Sequence, residues 1–426
     1  MTTASPASEV VVANKPKRVA GVIVTGHGFQ HMYADGFLVL LPIIQDVFAM
    51  GPVALGILSA SRQAAGGLLS MGGGFMVDLF AGNRGILLAG SLFAMGFAYM
   101  LAGISPNAAV LIAAISIGSA AGSFWHPVGL GILSFTFPRD RALLMSLHRS
   151  AGSLGEVITP FIVAAVLVYT TWRGVLVGGF FVIAVVSAMI LYVLARLGLP
   201  RREAISRTAG AQFRSIGGLF TNRALPVLLI VSGLRGMADR AIVFFLPVLI
   251  AQLLREVEDD PSDARIAAVV APYLALMVGT SIVVSPLIGM FSDRAGRKPV
   301  LVGVLFFSTV ITGIMTFTAE LGALFLVLVG LLGIVRFAGA NLAQAASLDV
   351  AEGRHIEGSM IGLLWGNNAF FGAFSPLLLG IIIAWFSPPG IDDYRLIFPY
   401  ATVLALLSTI AALFLPPIGN PRATSS

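Results

Sequence analysis

The chain contains no cysteine, and that absence removes disulfides, thiol nucleophiles, thiolate metal sites and iron–sulfur clusters together. Charge is nearly as scarce. Asp, Glu, Lys and Arg make up 11% of the 426 residues, against roughly 25% in a soluble globular protein, too little to cover a water-facing surface. There is no G-x-x-x-x-G-K-[ST] phosphate loop, no H-E-x-x-H helix and no Ser/His/Asp arrangement in a water-facing domain. These absences exclude soluble enzymes, disordered chains and secreted disulfide scaffolds, and they leave no engine for nucleotide hydrolysis. What fills the chain is apolar: 57% hydrophobic residues and a mean hydropathy of +0.95.

At roughly 35 residues for a spanning helix and its loop, a chain of this length holds about twelve spans. Apolar runs between polar turns predict them at 20–44, 53–76, 85–104, 108–136, 143–168, 173–197, 224–252, 266–291, 299–318, 321–348, 359–386 and 395–415. The expected fold class is all-α integral membrane. Residues 1–19 lack the long apolar core of a signal peptide and end in Lys15, Lys17 and Arg18, so they read as an uncleaved cytoplasmic tail. An inside N-terminus places 17 of the 26 Lys and Arg residues in inside segments and only Arg173, Arg255, Arg265 and Arg395 in the opposite loops. That bias predicts a multi-pass protein of the inner (plasma) membrane with both termini cytoplasmic. It also accounts for the net charge of +6 without nucleic acid.

The longest polar connection divides the chain, giving an N-terminal half at 20–198, a cytoplasmic linker at 199–223, a C-terminal half at 224–416 and a cytoplasmic tail at 417–426. The halves echo each other. GFQHMYADGFLVLLP from Gly28 is answered by GLRGMADRAIVFFLP from Gly233, GFMVDLFAGNRGILLAG from Gly74 by GMFSDRAGRKPVLVG from Gly289, and SLHRSAGSLGEVITP up to Pro160 by GLLWGNNAFFGAFSP up to Pro376. Three echoes in one order mark a duplicated six-helix unit.

The segment GMFSDRAGRKPVL, Gly289 to Leu301, resembles the signature of the major facilitator superfamily, carried in the loop between the second and third helices of a half. The resemblance implies twelve transmembrane helices, two six-helix halves related by pseudo-two-fold symmetry, and a conformational latch at Asp293, Arg294 and Arg297. The resemblance extends the latch to Asp78 and Arg84 in the first half, where the copy is degraded: Leu79 follows Asp78 where Arg is expected, and Arg84 sits one residue late. Loop charges that only fix topology are the alternative. His31, Asp35 and Pro42, with FWHPVG at Phe124 to Gly129, resemble the fosmidomycin-resistance branch, although Trp125 intervenes and Val128 replaces a glutamate. That narrower resemblance implies export of a drug-like phosphonate.

Ionisable residues within a span cost at least about 2.5 kcal/mol each on insertion scales, so each should face the bundle interior. His27, His31 and Asp35 are spaced i, i+4, i+8 and fall within about 80° on one helix face. Such a stripe can hold or pass protons, or it can be a polar stripe satisfied by neighbouring helices. A metal reading joins these three to His126 and His148. Arg235 and Asp239 are i, i+4, and Arg240 takes the place of Asp35 in the repeat. They form either a structural pair or a site where arginine holds an anion that Asp239 or Asp35 releases on protonation. Arg62, Arg149 and Arg336 have no acidic neighbour at helical spacing, and Glu156 lies seven residues after Arg149. Their guanidiniums suit an anionic substrate. Asn367 and Asn368 are substrate partners or glue between helices, His126-Pro127 is a flexing point, and Trp125, Tyr33, Trp365 and Phe245 are candidate cavity walls.

The expected function is secondary active transport by alternating access, proton-coupled, of a small anionic organic solute or drug, with efflux by antiport as the branch resemblance suggests. The chain is not expected to be an enzyme. Substrate contacts are assigned to Arg62, His126, Arg149, Arg235, Arg240, Arg336, Asn367 and Asn368, and proton coupling to His27, His31, Asp35, Glu156 and Asp239. Neither a cofactor nor a resident metal is expected, and the partners are solute, protons and the lipid bilayer around a monomer. The alternatives are an importer of a divalent metal or a carboxylate nutrient, and a non-transporting membrane receptor.

Overall fold

The computed structural model describes residues 16–79, 83–137, 139–197, 222–351 and 357–418. The N-terminal tail up to residue 15, nearly all of the linker and the tail from residue 419 lie outside the described residues. In the first half run α1 (Pro16–Val47), α2 (Pro52–Leu79), α3 (Arg84–Gly103), α4 (Ala108–Ser123), α5 (Trp125–Thr136), α6 (Arg141–Leu167) and α7 (Trp172–Leu197). In the second half run α8 (Ala224–Arg255), α9 (Asp263–Ala295), α10 (Arg297–Thr318), α11 (Ala323–Ala351), α12 (Glu357–Phe386), a 3-10 turn (Tyr394–Leu396) and α13 (Ile397–Leu413). No strand occurs among the described residues.

The helices α4 and α5 form one span, broken at Phe124. Pro127 lies in the first turn of α5 and has no N–H to give the Ser123 carbonyl, so the hydrogen-bond ladder stops where sequence placed a flexing point. Counting that pair once, the described helices make twelve spans, of which ten are long and apolar enough to cross a membrane. The other two, α1 and α2, are 32 and 28 residues long and carry the polar residues of the site, which dilute their apolarity. Large apolar side chains such as Phe181, Phe307, Phe317 and Trp385 remain exposed on the outside. A band of this kind is the surface that hydrocarbon covers.

Helix ends follow local chemistry. Asn107 caps α4 by accepting from Val110 N at 3.0 Å, and Ser262 caps α9 by accepting from Arg265 N at 3.3 Å. Gly296, at φ 94°, makes the tight turn from α9 into α10 that a β-carbon would strain.

The halves meet chiefly where α2 packs on α12 and α6 on α9. Gly56 lets α2 approach the backbone of Pro376 and Leu377 so closely that a β-carbon there would stand 2.7 Å from Leu377 Cα. Near the α1–α2 turn, Asp46 pairs with Arg255 and Gln45 Nε2 donates to Tyr394 Oη at 2.8 Å, each contact crossing between halves.

Candidate functional site

Glycines bring the chemistry of α1 and α6 together. A β-carbon at Gly155 would lie 2.5 Å from the Gly28 carbonyl oxygen, and one at Gly152 would lie 2.6 Å from His27 Cε1 and 2.9 Å from His31 Cδ2. The helices therefore approach as small-residue packing allows. In the groove so formed, His31 Nδ1 stands 2.9 Å from both Asp35 Oδ2 and Glu156 Oε1, one ring nitrogen shared by two carboxylates.

The predicted stripe divides at this point. His27 turns from the carboxylates, and its Nδ1 lies 2.5 Å from the His148 carbonyl oxygen. The His27 and His148 rings stack with centroids 3.7 Å apart. His126, from the first turn of α5, meets His27 edge-on at 5.0 Å. One ligand atom from each of His27, His126 and His148 falls within 4.8 Å of the others, and the same holds for His31, Asp35 and Glu156. The metal reading placed all these histidines in one group, whereas the structure divides them into a nitrogen trio and a carboxylate-rich trio.

On its other side Asp35 faces Arg62, whose Nη2 is 3.6 Å from Asp35 Oδ1 and donates to the Ala34 carbonyl at 3.2 Å. Tyr99 Oη donates to the same carbonyl at 3.4 Å. Arg62 thus has a carboxylate partner, which helical spacing could not reveal because the partner is on another helix.

In the second half, Arg235 pairs with Asp239 on α8 and its Nη1 reaches the Arg336 carbonyl at 3.4 Å. Arg240 lies across the boundary between halves. With its amide oxygen turned inward, the orientation that satisfies both groups, Gln63 of α2 accepts from Arg240 Nε at 2.9 Å and from Nη1 at 3.2 Å. Arg240 is exposed although wedged between α2 and α12, so its free surface opens into the space between the halves. It is within electrostatic reach of Asp35, Arg62, Asp239 and Arg336. Arg336 lies 4.7 Å from the Phe337 ring centre, and Arg149 of the opposite half approaches the same ring at 5.6 Å. Asn368 accepts from Ser232 Oγ at 2.8 Å and Asn367 donates to the Leu229 carbonyl at 2.9 Å, both contacts running between α8 and α12.

Residues reading from spacing missed are Gln63, Tyr99 and Phe337. Each is uncharged and sits within a span, and the sequence signal that would find it is a polar or aromatic side chain at span depth. The candidate walls differ from expectation. Trp125 and Phe245 are fully buried in the core, Tyr33 Oη donates to the Leu176 carbonyl, and Trp365 is exposed.

At the far end of the second half, Arg297 pairs with Asp293 and reaches Asp349 at 3.2 Å. Asp349 lies one residue past the predicted end of its span, so sequence did not connect it to the loop. Arg294 is exposed beside this pair, Arg84 is buried, and the side chain of Asp78 lies outside the described residues.

The family model of the Major Facilitator Superfamily matches residues 23–282, more than half of the chain. The chain is similar to the fosmidomycin resistance protein of Escherichia coli (strain K12), at 24% identity covering 97% of this chain and 96% of that protein. It is also similar to the uncharacterized MFS-type transporter YfnC of Bacillus subtilis (strain 168), at 21% identity covering 96% and 97%. Among solved structures, a mutant form of the nucleoside transporter NupG matches with a TM-score of 0.77 at 15% identity, covering 93% of this chain and 99% of that one. A bacterial homolog of the human lysosomal transporter Spinster, inward-facing and unoccupied, matches with a TM-score of 0.75 at 14% identity, covering 94% and 96%. At these identities the structural likeness speaks for the fold alone. Twelve helical spans in two sets of six, charged residues turned inward at mid-span and a family match over most of its length make this chain a member of the Major Facilitator Superfamily, a multi-pass membrane transporter of small-molecule solutes and not an enzyme.

Proposed function

We propose that the chain is a proton-coupled transporter of a small organic anion, with Asp35 as the coupling carboxylate and Arg62 and Arg240 as the anion-holding groups. The observation that carries this reading is the place of Asp35 at mid-helix, between His31 and Arg62 of its own half and within electrostatic reach of Arg240 from the other. While Asp35 is ionised it competes with any incoming anion for the guanidiniums. Once Asp35 is protonated that claim is gone, and an anion takes its place. Proton and anion binding therefore favour each other, and the two move together as the halves rock.

Glu156 supports the same exchange through its shared contact with His31. Arg149, Arg336, His126 and Asn368 stand near enough to shape the solute's surroundings, whereas Arg235 and Asp239 satisfy each other and act as positioning residues. Asp293, Arg297 and Asp349 serve as the conformational latch. The lysine and arginine distribution supports cytoplasmic termini and an inner-membrane location for a monomer built of halves at 20–198 and 224–416, and the contacts near the α1–α2 turn then close the outer face.

The E. coli relative is named for fosmidomycin resistance, which favours a second reading, export of a phosphonate in exchange for protons. The two differ in sign. In liposomes carrying an internal pH dye, fosmidomycin entry should acidify the lumen under co-movement and make it alkaline under exchange. Acidification that disappears in Asp35→Asn is the expected result. Fosmidomycin-linked proton flux that survives in Asp35→Asn defeats the coupling role, and flux of the opposite sign defeats co-movement.

A further inference from the structure

His27 and His148 are 2% and 3% exposed, yet Nε2 of His27 and both ring nitrogens of His148 meet no hydrogen-bond partner. Three orphaned imidazole nitrogens in one buried pocket are rare, because each carries the full cost of desolvation without a compensating bond. Their arrangement is also oriented. His27 Nδ1 donates its proton to the His148 carbonyl oxygen, which leaves the lone pair on Nε2. A ring held through one nitrogen by a backbone carbonyl, with the other nitrogen bare, is how a metal-binding histidine is usually prepared.

We infer that His27, His126 and His148 form a three-nitrogen site for a divalent transition metal of the zinc class. Ligand atoms from the three already lie within 4.8 Å of one another. Around a tetrahedral ion with bonds of about 2.05 Å they would stand about 3.3 Å apart, and metal entry requires the His27 and His148 rings, stacked at 3.7 Å in this structure, to turn out of the stack until both lone pairs aim at one ion. Neutral imidazole favours zinc, copper, nickel and cobalt over magnesium or calcium, whose shells are built from oxygen. Three protein ligands leave a fourth position for water or an anion.

The surroundings fit a cation. Asp35 and Glu156 supply two carboxylates on the neighbouring trio, and the His27 and His31 rings meet at 4.6 Å. Arg149 follows His148 in sequence but sends its guanidinium to Phe337. The trio is built from three elements, and each is held locally: α1 by Gly152, whose missing side chain leaves room for His27, α5 by the break at Phe124, and α6 by the close crossing with Gly28. The inference is independent of the proton-coupled anion reading, because metal binding is measured at equilibrium with no gradient and no organic solute.

The test uses full-length protein in nanodiscs, freed of any polyhistidine tag and stripped by chelator, then dialysed against zinc. One zinc retained per chain, with imidazole-rich scattering in the zinc X-ray absorption spectrum of the unmodified protein, is expected. Affinity should fall by about 10-fold or more in His126→Ala and in His148→Ala and change little in Asp46→Ala, whose carboxylate sits at the exposed bridge between halves, away from the trio. The absorption spectrum needs no variant, so it stands even if a substitution unfolds the protein. No retained zinc, a shell of oxygen ligands alone, or zinc binding that folded His126→Ala and His148→Ala leave unchanged would overturn the site.

Discussion

The two halves of the molecule carry one framework and opposite chemistry. Position by position, Gly28 answers Gly233, Pro42 answers Pro247 and Pro160 answers Pro376, so the packing glycine and the prolines inside the helices are retained. The groups between them have diverged. Asp35 is answered by Arg240 and Glu156 by Gly372. In the first half a carboxylate on α6 reaches across to the α1 group. In the second, a glycine clears space for the longer arginine, whose Cγ lies 3.1 Å from where a β-carbon of Gly372 would stand. A second pair trades size in the same manner, with His27 against Gly152 in one half and Ser232 hydrogen-bonded to Asn368 in the other. Duplication kept what sets helix crossings and released what sets charge. At the Asp35 and Glu156 positions the first half carries carboxylates, and the second carries an arginine and the glycine that makes room for it.

The largest break in that comparison comes from giving the second half the first half's chemistry. Arg240→Asp removes the fixed cation and places a second carboxylate near Asp35. Affinity for an anionic solute should fall on the order of 100-fold, the ~3 kcal/mol at the upper edge of what a hydrogen bond to a charged group contributes. Equilibrium binding of anionic and neutral solutes measures this, and an equal loss for both would count against an anion site. Next in size, Gly152→Asn imports the second half's residue and drives its side chain into His27 and His31. Thermal unfolding in detergent should show a loss of ~1–3 kcal/mol, the usual cost of overpacking. Adding His27→Ser rebuilds the serine–asparagine pair of the other half and should recover most of the loss, and a double-mutant cycle without coupling would refute the equivalence. The smallest effect belongs to Asp46→Ala at the bridge between halves. That pair with Arg255 is exposed, so its removal should cost at most ~1 kcal/mol and the cost should shrink in high salt.

Local features were legible in sequence because they need only one helix. The His31–Asp35, Arg235–Asp239 and Asp293–Arg297 contacts are all i, i+4, and the break before His126-Pro127 follows from one missing N–H. Contacts between helices were not legible. Asp35 to Arg62, His31 to Glu156, Arg240 to Gln63 and Arg297 to Asp349 depend on how each helix is rotated about its axis, which the packing of glycines against backbone decides. The same reason divides the histidine stripe. An arc of about 80° is wide enough for its two ends to meet different neighbours, and His27 found a backbone carbonyl while His31 found two carboxylates.

Phe337 sits beneath guanidiniums from both halves, but the two are tied to it differently. Arg336 is its neighbour in the chain, whereas Arg149 comes from the other half. Under the rocking proposed above, Arg149 would leave the aromatic face and return to it, so tryptophan in place of Phe337 is expected to report the movement as a change in fluorescence; a signal indifferent to solute and pH would count against that movement.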